Sequence, residues 1–153
     1  MRETENRFTR EIRPAKPHDI SGVLEVESEC FKETNTDLLV RLCGVTDTLL
    51  VSTNLHDIEG YILVAPVSKD KARVISLGVK EDYRQQGVGR SLMREGIRLL
   101  LNRDVNKLEL EVRVSNTPAK NLYKEMGFSK IRVKPNYYND GENAYLMQKE
   151  LTS

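Results

Sequence analysis

Residues Leu77 to Ser91, Leu-Gly-Val-Lys-Glu-Asp-Tyr-Arg-Gln-Gln-Gly-Val-Gly-Arg-Ser, constrain the fold more than any other stretch. An apolar strand, Val74 to Val79, runs into a short charged turn, a glycine pair and then a helix. The helix carries Val88, Leu92, Met93, Ile97, Leu100 and Leu101 at helical spacing. Lys107 to Val114 then alternates with strand period, with Leu108, Leu110, Val112 and Val114 on one face and Glu109, Glu111 and Arg113 on the other. A helical crossover reverses the chain twice, so the strands on either side of it must be parallel. The turn also gathers free backbone N–H groups at a helix start, where they favour an anion. Gly87 and Gly89 lack a Cβ and let a bulky phosphate group approach the main chain. Arg84 and Arg90 flank the pair with fixed positive charge, and the stretch reads as a pyrophosphate cradle.

The remaining elements build a sheet around that crossover. Residues 1–6 read as a frayed terminus and Phe8 to Arg13 as a first strand. Lys16-Pro17-His18-Asp19 opens a helix with Ile20, Val23, Leu24 and Phe31 on one face. Thr34 to Asp37 breaks it and caps a second, shorter helix carrying Leu38, Leu39 and Leu42. Leu49 to Thr53, Gly60 to Val67 and Ala72 to Val79, separated by turns at 54–59 and 68–71, predict an antiparallel meander. Gly78 inside its last strand predicts a bulge or a close approach by another backbone. Asn116-Thr117-Pro118 starts a further helix with Thr117 as cap, carrying Ala119, Leu122, Tyr123 and Met126 up to Gly127. Phe128 to Val133 and Ala144 to Leu151 are the last strands, joined by a polar loop over 134–143. The expectation is one α/β domain over residues 1–153. It holds a mixed, mostly antiparallel sheet of about seven strands with about four helices on its two faces.

Composition removes several classes of function. A net charge of +1 gives no field for nucleic acid or for an acidic membrane surface. No apolar run approaches the ~20 residues needed to span a bilayer. The opening Met-Arg-Glu-Thr-Glu-Asn-Arg is too polar for a secretion signal, which predicts a cytoplasmic protein. Cys30 and Cys43 lack metal-site spacing and read as reduced thiols. His18 and His56 have no ligand partner nearby in sequence, so no metal is expected.

The identity of the pyrophosphate follows from what the turn lacks. A nucleotide P-loop needs Lys and then Ser or Thr after its second glycine, but Gly89 is followed by Arg90-Ser91. A dinucleotide fingerprint needs a third glycine where Leu92 stands. The pattern present, Arg84-x-x-Gly87-x-Gly89, resembles the acetyl-CoA-binding signature of the GCN5-related N-acetyltransferases, the GNAT superfamily. The segment Leu110-Glu-Val-Arg-Val-Ser-Asn-Thr-Pro-Ala-Lys-Asn-Leu-Tyr-Lys-Glu-Met-Gly-Phe128 is similar to the RimI-type branch, which acetylates protein N-terminal α-amines. Asn136-Tyr-Tyr-Asn-Asp-Gly-Glu-Asn-Ala-Tyr-Leu-Met147 strengthens that likeness. The resemblance covers roughly residues 72–151, and the first 70 residues match only in the order of their elements.

The resemblance implies a donor, an acceptor and a set of roles. Acetyl-CoA would be the donor, its pantetheine arm lying along the backbone of Leu77, Gly78 and Val79. Arg84, Gln85, Gln86, Gly87, Val88, Gly89, Arg90 and Ser91 would hold its pyrophosphate, and Asn116 would bond near its reactive end. Glu111 would be the general base and Tyr123 the acid facing the leaving thiolate. Phe31, Glu33, Tyr137 and Tyr138 would hold the acceptor. Plainer readings stand beside these: Glu111 as a solvated strand residue, Tyr123 as core, Asn116 as a turn residue, and the tyrosine pair as loop packing. Neither cysteine has a partnered histidine, which favours direct transfer over an acyl-enzyme. The expected acceptor is the α-amine of a protein or peptide, and whether it is a ribosomal protein stays open. The alternatives are a lysine or small amine as acceptor, or a CoA-binding regulatory module without catalysis. A monomer and a homodimer are both compatible with the sequence.

Overall fold

The computed structural model describes residues 10–152. The terminus at 1–6 and Phe8 of the expected first strand lie outside the described residues. Seven strands follow the chain as β1 (Glu11–Pro14), β2 (Leu49–Thr53), β3 (Ile58–Pro66), β4 (Lys71–Val79), β5 (Lys107–Arg113), β6 (Ser129–Lys134) and β7 (Ala144–Glu150). Among the described residues four α-helices are interleaved: α1 (Ile20–Cys30), α2 (Thr36–Leu42), α3 (Val88–Leu101) and α4 (Thr117–Glu125). The strands form one sheet in the order β1-β2-β3-β4-β5-β7-β6. Pairing is antiparallel for β1/β2, β2/β3, β5/β7 and β6/β7. The two strands flanking α3 are parallel, Lys71 to Arg73 facing Lys107 to Glu109, as the crossover requires.

The chain divides into two compact units, Met1–Val64 with Ser76–Gly96, and Ala65–Ile75 with Ile97–Ser153. The first is built on β2 and β3, whose Leu49, Val51, Tyr61, Ile62, Leu63 and Val64 are fully buried. Val23 and Val26 of α1, one helical turn apart, join that core. Pro17 sets the entry to α1, and the Asp19 carboxylate accepts the Lys16 N–H at 2.8 Å and Arg13 Nη1 at 2.7 Å. Strand β3 begins at Ile58, two residues before the expected Gly60, because the charge of Glu59 is neutralised inside the sheet. Arg10 grips its carboxylate with Nε and Nη2, each at 2.8 Å, and Ser52 and Asn54 complete the shell at 2.9 and 3.2 Å.

In the second unit Leu108, Leu110 and Val112 of β5 are buried, as the alternation predicts. The opposite face departs from expectation, since Glu109 is buried as well, with Arg73 Nη2 at 2.7 Å and Lys71 Nζ at 3.5 Å. The cap of α4 is also corrected. Asn116, not Thr117, is the N-cap of α4, its Oδ1 accepting the Ala119 N–H at 3.3 Å. Strand β6 starts one residue later than expected and is exposed along most of its length, with a register shift between Lys130 and Arg132. Among the described residues no helix is long and apolar enough to cross a membrane, and no cluster of metal-binding side chains occurs.

Candidate functional site

Leu77 to Ser91, Phe31 and Glu33 belong to the first unit, and Glu111, Asn116, Tyr123, Tyr137 and Tyr138 to the second. In the first, β4 ends at Val79 and a short 3-10 turn, Glu81–Tyr83, leads to α3. Gln85 and Gly87 both take positive φ, 61° and 80°, so the main chain coils back before the helix begins at Val88. The Ser91 N–H bonds the Gly87 carbonyl at 3.0 Å, the first bond of α3, so the turn runs directly into a helix N-terminus, where the first-turn amides point outward along the axis. A Cβ built on Gly87 would meet nothing within 4 Å. An exposed, positive-φ turn that ends in helix amides is the kind of backbone arrangement that could hold an anion such as a diphosphate.

The turn is braced from beneath. Lys80, buried, bonds Glu25 of α1 at 2.9 Å and Asp57 at 3.2 Å, and Glu29 of α1 accepts the Glu81 N–H. Arg10 Nη2 donates to Gln86 Oε1 at 2.9 Å, and Gln86 Nε2 donates to the Asp82 carbonyl at 3.2 Å. The Gln86 side chain is thus occupied by Arg10 and the Asp82 carbonyl. Arg84 Nε and Cys30 Sγ both donate to the Val79 carbonyl, at 3.0 and 3.2 Å. At Gly78 the close approach comes not from another backbone, as expected, but from side chains at the end of α1. A Cβ there would lie 3.2 Å from Cys30 Sγ, 3.2 Å from Phe31 Cε2 and 3.3 Å from Val26 Cγ1. The structure thereby sets Phe31 against the strand residue Gly78. The loop after Phe31 is held by Glu27, a buried carboxylate that accepts the Asn35 N–H and, at 2.8 Å, Thr36 Oγ1.

In the second unit Glu111 is no solvated strand residue, its side chain being only 7% exposed. Arg73 Nη1 at 3.0 Å and Lys134 Nζ at 2.9 Å both bind the same oxygen, Oε1. The other oxygen, Oε2, takes no part in these contacts. Tyr123 packs edge-on against Phe128 with centroids 5.8 Å apart, and burial pushes its phenol up to about 12. Asn116 spends its carbonyl oxygen on the α4 cap. Tyr137 and Tyr138 meet edge to face at 5.0 Å, and Arg113 lies over the Tyr138 ring, 3.9 Å from its centroid. Burial pushes Tyr138 up to about 12, against the pull of Arg113.

Sequence reasoning missed Arg10, Arg73, Arg113 and Lys134. For Arg73 a signal existed: strand period and the parallel pairing place it opposite Glu109, on the polar face that also carries Glu111. Arg10 bonds Glu59, 49 positions away, and no local window connects the two.

Comparison with known proteins agrees with this geometry. The model of the acetyltransferase (GNAT) family matches residues 15–128. A Sulfurisphaera tokodaii N-alpha-acetyltransferase is 43% identical over 83 residues, 54% of this chain and 50% of that one, so the alignment spans about half of its length. A Bacillus subtilis protein, provisionally named a ribosomal protein bS18-alanine N-acetyltransferase, is 34% identical over 89% of this chain and 92% of its own. The crystal structure of Ard1 from Thermoplasma volcanium superimposes with a TM-score of 0.89 at 30% identity, covering 95% of this chain and 99% of that one. With a family match across three quarters of its length, the chain belongs to the acetyltransferase (GNAT) family.

Proposed function

We propose that residues 1–153 form one acetyltransferase domain that moves an acetyl group from acetyl-CoA to the N-terminal α-amine of a protein or peptide. A ribosomal protein is among the candidate acceptors and the cytoplasm is the site of action. The observation that carries the α-amine preference is the likeness, over 89% of the chain, to the Bacillus subtilis relative named for alanine N-acetylation of bS18. Acetyl-CoA, when bound, supplies an acetyl group activated as a thioester. The amides of residues 85–90 hold the diphosphate, and the backbone of Leu77 to Val79 lines the arm.

An amine attacks only as the free base. A terminal α-amine titrates near ~7.7–8.0 and a lysine near ~10.4, so the α-amine needs far less help. Glu111 accepts the proton through Oε2 while Arg73 and Lys134 pin Oε1 and fix the carboxylate plane. Tyr123 keeps its proton across the working range. With its phenol near 12, full transfer to a thiolate of ordinary pKa ~8.5 runs roughly 5 kcal/mol uphill. Tyr123 therefore donates a hydrogen bond to the departing sulfur and does not complete the transfer. This refines the role expected of a general acid.

A panel of peptides with free N-termini, set against Nα-blocked peptides containing lysine, tests the acceptor class. Mass spectrometry is expected to find one acetyl group, at the α-amine. Acetylation confined to the blocked, lysine-containing peptides overturns the reading. The donor seat has its own test in Gly87→Ala. The methyl group has room, so the fold loses only the ~1–2 kcal/mol of a left-handed alanine. Calorimetry is expected to show CoA affinity falling about tenfold, the loss of one charge-assisted contact to the diphosphate.

A further inference from the structure

The loop over residues 134–143 has few apolar side chains of its own to bury, yet it is closely tied. Within it, the Gly141 N–H bonds the Tyr138 carbonyl at 2.9 Å and the Tyr138 N–H bonds the Glu142 carbonyl at 3.2 Å. Asn136, at φ 52°, donates its N–H to Asn143 Oδ1 at 2.9 Å. What fastens this folded loop to the sheet is the end of β5. Arg113 Nη1 reaches Asp140 Oδ2 at 2.9 Å, Asp140 Oδ1 at 3.1 Å and Glu142 Oε1 at 2.9 Å. The same guanidinium lies 3.9 Å from the Tyr138 centroid, and Glu142 Oε2 accepts the Ser115 N–H at 2.9 Å.

The contacts continue toward Glu111. Tyr138 meets Tyr137 at 5.0 Å, Lys134 Nζ lies 5.4 Å from the Tyr137 centroid, and the same Nζ holds Glu111 at 2.9 Å. Arg113 and Glu111 are two residues apart on one strand and share a face. We propose that Arg113 is a positioning residue that sets the Tyr137–Tyr138 loop for the acceptor and leaves the donor untouched. The proposal rests on the reading above that this loop walls the acceptor. Arginine suits the task because one planar group serves two carboxylates and an aromatic face at once, whereas lysine offers a single ammonium.

The test uses the full chain with Arg113→Ala, Arg113→Lys and Asp140→Asn. In Arg113→Ala the KM for an N-terminal peptide is expected to rise about tenfold, while kcat and the KM for acetyl-CoA stay within about twofold. Arg113→Lys recovers part of the loss, and Asp140→Asn shifts peptide KM the same way by less. Amide hydrogen exchange at 136–143 is expected to quicken in Arg113→Ala, with the remaining amides unchanged. The proposal is overturned if acetyl-CoA KM or kcat worsens as much as peptide KM, or if exchange at 136–143 does not change. Should Arg113→Ala fail to fold, the other two variants carry the same comparison. A wild-type protein that acetylates no free N-terminus overturns the acceptor reading instead, and exchange in the unliganded chain still decides whether Arg113 fastens the loop.

Discussion

Replacing Glu111 with glutamine is expected to lower kcat/KM for an N-terminal peptide about a thousandfold, the scale of a lost general base. The amide keeps the size of the side chain but has no basic oxygen to take the proton of the amine. Binding of CoA, read by calorimetry, is expected to stay within about twofold of wild type, because the partners of Glu111 are Arg73 and Lys134 and not the residues 84–91 proposed for the diphosphate. One confounding effect needs its own control. With the carboxylate gone, Arg73 and Lys134 face a neutral group, and Arg73 Nε is already buried without a partner. A thermal melt of the variant therefore accompanies the kinetics. Retention of activity within about fivefold would falsify the role of Glu111 as base and assign the proton to a water chain or another residue.

The largest effect on stability is expected at Glu59, which is 0% exposed. Its two oxygens accept from Arg10, Ser52 and Asn54. Glu59→Ala leaves a guanidinium, a hydroxyl and an amide without their acceptor, and removing one member of such a buried pair costs about 3 kcal/mol. Arg10 keeps some access to water, its side chain being 29% exposed, which holds the figure at the lower end of the range. Denaturant unfolding, extrapolated to water, measures it. Arg10 also bonds Gln86, so the variant is expected to weaken CoA binding modestly as well. A variant as stable as wild type would show that the carboxylate is a replaceable filler.

The elements were readable where the chain's periodicity is local. Leu49–Thr53 appears with the expected bounds, α4 begins one residue before Pro118, and α1 begins three residues after Pro17, past a short 3-10 turn. The parallel pairing of β4 and β5 follows from connectivity alone. Misreadings gather where a charge is paid for at long range in sequence. Glu59 looked like turn because its neutraliser, Arg10, precedes it by 49 residues. Glu109 read only as part of a polar strand face because Arg73, which neutralises it, lies 36 residues back. Asn116 and Thr117 are both good caps, and only the geometry at Ala119 selects between them. The same blindness hid the supports of the candidate site, since Arg73, Lys134 and Arg113 act through partners that lie on other strands or in the closing loop.

Gly60 and Gly78 have a bearing on anyone redesigning the protein. A methyl group on Gly60 would stand 2.7 Å from the Gly78 carbonyl, and one on Gly78 would strike Cys30, Phe31 and Val26 at 3.2–3.3 Å. Mutant libraries that randomise 60 meet a backbone carbonyl that has little room to yield, whereas those that randomise 78 need the side chains of Cys30, Phe31 and Val26 to give way. The bare position at Gly78 acts as a fixed gauge, setting how far the end of α1 can stand off β4, and Gly60 sets how closely β3 and β4 lie side by side.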